Sequence, residues 1–203
     1  MSQPARHRMS HVFEDPPVAR FLFADTRMAW LWLILRLYLG YAWLDAGLHK
    51  VTSPAWMDSG QALAGFWTNA VKVEGTRPPI TYDWYRGFIQ WMLDTQQYVW
   101  FAKVIAVGEF LIGVALILGA FAGIAAFFGA FMNWNFIMAG AASTNGMLLV
   151  LAVLLLLAWK VAGYWGLDRW LLPALGTPWS PGELARGGAP GRLEAAPESS
   201  RRT

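Results

Sequence analysis

Four polar side chains lie near the middle of the long apolar stretches of this sequence of 203 residues. Arg36 lies in the first stretch, Glu109 in the second, and Asn133 and Asn135 in the third. A charged side chain deep in a membrane costs at least about 2.5 kcal/mol, and such residues are usually functional. An acid, a base and two amides suit hydrogen bonding and proton exchange with a polar head group such as that of a quinone.

Depth arithmetic predicts that these residues meet. At a rise of about 1.5 Å per residue, Arg36 lies about 12 Å and Glu109 about 13 Å from the inner ends of their stretches. The two asparagines of the third stretch lie about 13–17 Å from its inner end. We therefore expect an Arg36–Glu109 ion pair. It either holds two helices together with the asparagines as interhelical hydrogen-bonding groups, or lines a quinone pocket or proton path.

The apolar stretches themselves have the length of membrane helices. Only 14% of the residues are charged, against about 25% in ordinary soluble domains. Stretches of roughly 20 residues occupy about 28–48, 99–118, 124–142 and 147–165. Glycine-containing turns at 119–123 and 145–146 make the last three antiparallel neighbours. The sequence predicts an all-α integral membrane protein with an antiparallel four-transmembrane-helix bundle over 28–165.

The segments outside the spans indicate orientation. Ten Lys and Arg residues lie in the segments 1–27 and 160–203, and five lie on the opposite side, which favours cytoplasmic termini. We expect a cytoplasmic segment 1–27 and a cytoplasmic tail 166–203 that is disordered from about residue 180. The aromatic outer loop 51–98 is predicted to carry one or two interfacial helices, the first starting at Ser53-Pro54. Whether this loop only fixes membrane depth or covers a cavity stays open.

Residue types that the sequence lacks exclude several redox centres. There is no cysteine, which excludes disulfides, iron–sulfur clusters held by thiolates and cysteine nucleophiles. Of the three histidines only His49 lies near a span, which excludes a bis-histidine haem within the bundle. Asp45 and His49 share a helix face, but nothing nearby completes a metal site, and a surface ion pair of Asp45 with His49 or Lys103 is favoured. We expect no metal, and no nucleic-acid partner because the basic residues are sparse.

Two motifs bear the charges of the apolar spans. LRLYLG at Leu35–Gly40 continues to AGLHK at Ala46–Lys50, and GEFLIG at Gly108–Gly113 continues to Gly119 and the asparagine-bearing third span. Over roughly 28–165 the sequence resembles the DoxX/DoxD family of small four-helix bacterial membrane proteins. The resemblance implies a multi-pass protein of the bacterial inner membrane linked to the quinone pool, since DoxD relatives belong to thiosulfate:quinone oxidoreductases. It also implies site positions at Arg36, Lys50, Glu109 and Asn135.

We therefore predict a membrane subunit of a quinone-linked respiratory or sulfur oxidoreductase that has no redox centre of its own. Glu109 and Arg36 are expected to act on the quinone, and a second set is expected to bind it: Asn133, Asn135, Trp43, Trp134 and Lys50. The expected partners are membrane lipid and either a larger redox complex or further copies of the chain. The alternative is a non-catalytic anchor or assembly subunit. A transporter is disfavoured because the sequence shows no inverted repeat and no helices broken by Gly or Pro.

Overall fold

The computed structural model describes residues 15–73, 78–177 and 180–186, and it is mainly helical, as predicted. In chain order the helices are α1 Pro17–Ala24, α2 Ala29–Val51, α3 Pro54–Met57, α4 Gln61–Ala70, α5 Asp83–Asp94, α6 Tyr98–Leu118, α7 Ala122–Met138, α8 Asn145–Leu157, α9 Trp159–Ala162, α10 Asp168–Leu175 and α11 Glu183–Arg186. A 3-10 turn at Thr26–Met28 precedes α2, and strands β1 Gly176–Thr177 and β2 Ser180–Pro181 pair antiparallel.

Helices α2 and α6 run antiparallel, and they pack closely because Gly47 of α2 and Gly113 of α6 lie where the two backbones approach each other. A Cβ atom on Gly47 would lie 2.3 Å from Phe110 N, and one on Gly113 would lie 2.4 Å from Leu44 N. Both distances are far below van der Waals contact, so a side chain at either position would push the helices apart. These contacts fix the register, since the segment 44–47 of α2 lies beside 110–113 of α6.

Helices α7 and α8 complete a bundle around one core. The core includes Leu39 of α2, Leu116 of α6, Ala126 of α7 and Leu155 of α8, all fully buried. The predicted fourth span at 147–165 is divided in the structure, where α8 ends at Leu157 and the short α9 follows.

One helix of the described residues, α6, is long and apolar enough to cross a membrane. Helices α7 and α8 are apolar but shorter, with 17 and 13 residues, and the 23-residue α2 carries three charged side chains and a histidine. Large apolar side chains are exposed along the bundle, among them Leu111, Phe127, Phe128, Val150 and Leu157. Apolar surface of this extent marks an interaction site for another protein or for a membrane.

The long connection between α2 and α6 folds over one end of the bundle, here called the loop end. It forms α3, α4 and α5, with α3 starting at Pro54 as the Ser53-Pro54 signal predicts. Leu63, Trp67 and Ile89 of this connection share a second core with Ile105 of α6 and Ala139 after α7. The connection is therefore part of the folded protein and covers the bundle.

The opposite end, here called the terminal end, holds α1 and the segment after α9. Trp32 of α2 donates its indole N–H to the carbonyl of Leu22 at 2.7 Å, and its ring packs on Phe23. A disordered tail is predicted from about residue 180, but Ser180–Pro181 pairs with Gly176–Thr177 and Glu183–Arg186 is helical. The rest of the predicted tail, 187–203, lies outside the described residues.

Candidate functional site

The predicted Arg36–Glu109 pair is wrong. Arg36 is buried at the terminal end, where its Nη1 donates to the carbonyl of Leu116 at 2.6 Å and its Nη2 donates to the carbonyl of Trp165 at 3.1 Å. A further contact from Nη1 reaches the carbonyl of Ile117 at 3.3 Å. These carbonyls include the last ones of α6, which have no partner within the helix. Arg36 therefore caps the C-terminus of α6.

The prediction failed because the two spans are offset along their axes. It placed the first residues of α2 and the last residues of α6 at one level. In the structure Glu109 lies level with Gly47, eleven residues beyond Arg36, so about 16 Å separates the two levels. The first turns of α2 continue past the end of α6 and pack against the terminal-end segments.

Asp168, which the sequence analysis did not single out, is the acidic counterpart of Arg36. Its carboxylate accepts hydrogen bonds from the backbone N–H groups of Phe121 at 2.5 Å and Ala122 at 2.8 Å, where α7 begins. Burial raises the pKa of Asp168, while the two backbone N–H groups and then the charge of Arg36 act in the opposite direction. A signal was present in the sequence, because Asp168 is the sole acidic residue between Glu109 and Glu183.

Gly119 lets these two charged residues hold the hairpin between α6 and α7. It has a left-handed conformation, φ 65° and ψ 38°, and a Cβ there would lie 2.2 Å from Arg36 Nη1. A cation at a helix C-terminus and an anion at a helix N-terminus both interact favourably with the helix dipoles. The terminal-end cluster of Arg36, Gly119 and Asp168 is thus a structural clamp.

Glu109 is paired with Lys50 near the loop end of the bundle. The Lys50 ammonium donates to Glu109 Oε2, and the Glu109 side chain is 1% exposed against 20% for that of Lys50. The ammonium also lies 5.1 Å from the ring centroid of Trp56 and 6.0 Å from that of Phe136. Lys50 therefore joins α2, α3, α6 and α7 at one point. Of the predicted site residues, the structure brings together Lys50 and Glu109.

Asn133 and Trp43 are buried in the bundle on the terminal-end side of this ion pair. Asn133 of α7 and the indole N–H of Trp43 have no hydrogen-bond partner among the described residues. A Cβ on Gly129, one turn before Asn133, would lie 3.1 Å from Trp43 Nε1. Asn133 and Trp43 thus face the same interior region.

A cavity of about 330 Å³ lies between the bundle and the helices of the loop end, and neither Lys50 nor Glu109 lines it. Aromatic rings dominate its wall: Phe66, Trp67, Tyr85, Phe88, Phe101, Phe131 and Phe136. Phe136 connects the two features, because it lines the cavity and its ring lies near the ammonium of Lys50. Residues of α4 and α5 in the loop thus form part of a cavity wall.

Tyr85 and Asn135 are the polar groups of this cavity wall. The Tyr85 hydroxyl donates to the side-chain oxygen of Asn135 at 3.2 Å and reaches its backbone carbonyl at the same distance. Burial raises the pKa of Tyr85, which keeps its hydroxyl protonated. Trp134, predicted as a ring wall, is instead 43% exposed on the outside of α7, because its neighbours Asn133 and Asn135 turn toward the interior and the cavity. Trp43, also predicted as a wall, does not line the cavity.

A larger cleft of about 560 Å³ lies at the terminal end between α7, α8 and α10. Its wall is almost entirely apolar, and the Asp168 carboxylate that borders it is already bound to backbone N–H groups. At the loop end, Asp45 lies 3.6 Å from His49 on the surface. Among the described residues no group of three or more His, Asp or Glu side chains has a geometry that would hold a metal ion.

Comparison with known proteins gives one assignment. No curated protein and no solved structure matches the chain. The DoxX family model matches residues 31–163, which is well over half of the sequence and includes the clamp residues Arg36 and Gly119 together with Lys50, Glu109 and Asn133. The chain therefore belongs to the DoxX family of membrane proteins.

Proposed function

We propose that the chain is a multi-pass membrane subunit that binds a quinone in the cavity of the loop end for a partner oxidoreductase. In this proposal α2, α6, α7 and α8 cross the inner membrane and both termini face the cytoplasm. The apolar exterior of the bundle and the predominance of Lys and Arg in the predicted tails support it. With 13 residues α8 is short for a span, but α9 begins after a single intervening residue, Ala158.

The aromatic cavity of the loop end, whose wall includes the Phe136 ring that lies near Lys50, is the observation that carries the proposal. A volume of about 330 Å³ lies within the range of about 300–1,000 Å³ that is usual for small-molecule sites. It suits a quinone ring, whose isoprenoid tail would extend between helices into the bilayer. Flat aromatic walls favour a flat ring by stacking, and Tyr85 and Asn135 supply hydrogen-bonding groups for its oxygens.

A bound quinone would accept two electrons from the partner and two protons on reduction. The chain's own part is to position the ring and to deliver protons. The Tyr85 hydroxyl donates its single hydrogen to Asn135 in the structure, and it would turn from Asn135 to a quinone oxygen when the ring is bound. Glu109 is not in the cavity wall, so in this proposal it acts as the proton-exchanging acid behind the site, and Lys50 balances its charge. Arg36 has no part in this proposal, because its hydrogen bonds go to the carbonyls at the terminal end.

Equilibrium binding of a tritiated short-chain quinone to the protein in lipid nanodiscs tests this function. We expect saturable binding that Ala139→Phe weakens at least about tenfold, which corresponds to about 1.4 kcal/mol. Ala139 is buried and lines the cavity, so a phenyl ring there fills the space that the quinone needs. Ala142→Phe, at an exposed position three residues later, is the matched control and should bind like the parent.

The anchor or assembly role remains the second candidate, and the clamp favours it. Arg36 is as deeply buried as any charged side chain in the described part of the chain, and its contacts serve to join α2, α6 and the segment after α9. A membrane protein built only to hold a partner requires such joints and no ligand site. Absence of saturable quinone binding in the parent protein would favour this second role.

A further inference from the structure

Two buried polar side chains near Glu109 lack any hydrogen-bond partner among the described residues. They are Asn133, with both its Nδ2 and its Oδ1, and Trp43, with its Nε1. Asn133 is fully buried and Trp43 is 3% exposed. An unsatisfied buried polar group costs about 1–3 kcal/mol, and native proteins contain few of them. Three such atoms in one region indicate that a small molecule or water forms hydrogen bonds with them.

The helix registers place these groups in one interior region with Glu109. Gly129 of α7 faces both Trp43 of α2 and Ile112 of α6. One turn toward the loop end, α7 presents Asn133 and α6 presents Glu109, since residues three and four apart share a helix face. Another turn on, Phe136 lies near the ammonium of Lys50. Asn133 therefore lies between the indole N–H of Trp43 and the Lys50–Glu109 pair.

The chemistry of this region suits water. The indole and the amide provide donors, while the amide oxygen and the Glu109 carboxylate provide acceptors. A buried water molecule typically makes about three hydrogen bonds to otherwise unsatisfied groups. Asn133 and Trp43 are buried, and water molecules that bridge the indole, the amide and the carboxylate would satisfy all of these atoms.

We propose that Asn133 and Trp43 hold ordered water molecules against Glu109, and that this water chain carries protons to and from Glu109. The second part rests on the proposed function, in which Glu109 is the acid that exchanges protons at the quinone site. The first part does not, because hydration of the interior follows from the unsatisfied atoms alone. Asn133 and Trp43 are thus positioning residues for the water chain.

Hydroxyl-radical footprinting in ¹⁸O-labelled water tests the hydration directly. Radicals formed from bound water oxidise adjacent buried side chains, and Trp32 is a matched control. It lies on the same helix and is also 3% exposed, but its indole N–H is satisfied by the carbonyl of Leu22. We expect Trp43 to incorporate ¹⁸O several-fold faster than Trp32 in the parent protein in nanodiscs. Equal, slow rates for the two residues would overturn the proposal.

Asn133→Leu separates a hydrated interior from a dry one. If water is held there, removal of the amide should lower the Trp43 oxidation rate to that of Trp32 and leave the melting temperature unchanged or lower. If the interior is dry, the same change removes unsatisfied groups and raises the melting temperature, which would contradict the proposal. Because neither readout involves quinone, failure of quinone binding would leave this result standing.

The proton route has its own readout. In native membranes Asn133→Leu should leave the quinone affinity at the parent value and slow quinone reduction several-fold. Normal reduction rates in a variant that has lost Trp43 labelling would show that the water is present but carries no protons for the reaction.

Discussion

Lys50 and Glu109 form an unequal pair, and their substitutions should therefore have unequal costs. The Glu109 side chain is 1% exposed, whereas that of Lys50 is 20% exposed and also faces the ring of Trp56. After Glu109→Gln, the ammonium keeps its aromatic neighbour and can turn toward the surface. After Lys50→Met, the carboxylate stays buried with no counter-charge.

The magnitudes follow from this difference. Removing one partner and stranding a buried charge costs about 3–5 kcal/mol, which is the value expected for Lys50→Met. Glu109→Gln should cost only about 1.5–3 kcal/mol, the range of a lost hydrogen bond to a charged group. The double variant removes both charges, so we expect it to cost about 2–3 kcal/mol less than the sum of the two single variants.

The assay is reversible unfolding in mixed micelles by titration with sodium dodecyl sulfate, followed by circular dichroism. Asp83→Asn is the control, because the Asp83 carboxylate is 86% exposed on α5, and its pair with Arg86 should therefore contribute only about 0–1 kcal/mol. The reasoning would be refuted if Lys50→Met were no more destabilising than Glu109→Gln, or if the two costs simply added.

Three further predictions concern the clamp, the helix crossing and the topology. Arg36→Gln should lower the free energy of unfolding by about 3–5 kcal/mol in the same titration. Arg36→Lys should not restore it, because one ammonium cannot reach both sets of carbonyls. An unchanged free energy of unfolding in Arg36→Gln would mean that the clamp is not needed. Gly113→Ala should abolish folding, seen as aggregation on size-exclusion chromatography, because its Cβ would lie 2.4 Å from Leu44 N. Gly65→Ala is the control: a Cβ there meets nothing within 4 Å, so the change should be neutral or should stabilise the protein by up to about 1 kcal/mol. With an impermeant thiol reagent on intact cells, Ser59→Cys should be labelled and Ser199→Cys should not, and the reverse pattern would overturn the orientation.

The helices were predictable from the sequence because apolar length and glycine turns determine them locally. Hydropathy located α2 and α6 to within three residues at each end, and Ser53-Pro54 located the start of α3. The boundaries of α8 were less predictable, because its apolar stretch continues past Ala158 to Val161 and Ala162 and no Gly or Pro marks the break.

The partners of the charged residues were not predictable because they depend on how far one helix is displaced along another. Gly47 and Gly113 determine that displacement by close backbone approach, and sequence alone does not say which glycines face each other. The same displacement moved Arg36 to the terminal end and brought Lys50 to Glu109. The cavity could not be predicted either, since its wall comes from helices of both the loop and the bundle.

Photolabelling with an azido-quinone tests the central claim, that the cavity of the loop end binds a quinone, most directly. The protein in nanodiscs is irradiated with the labelled quinone, with and without an excess of unlabelled quinone, and the modified residues are mapped by mass spectrometry. The account predicts competed labels on cavity-lining residues such as Trp67, Tyr85 and Phe131. Labels confined to Phe127 and Phe128 on the exposed surface of α7, or labels that unlabelled quinone does not displace, would contradict it.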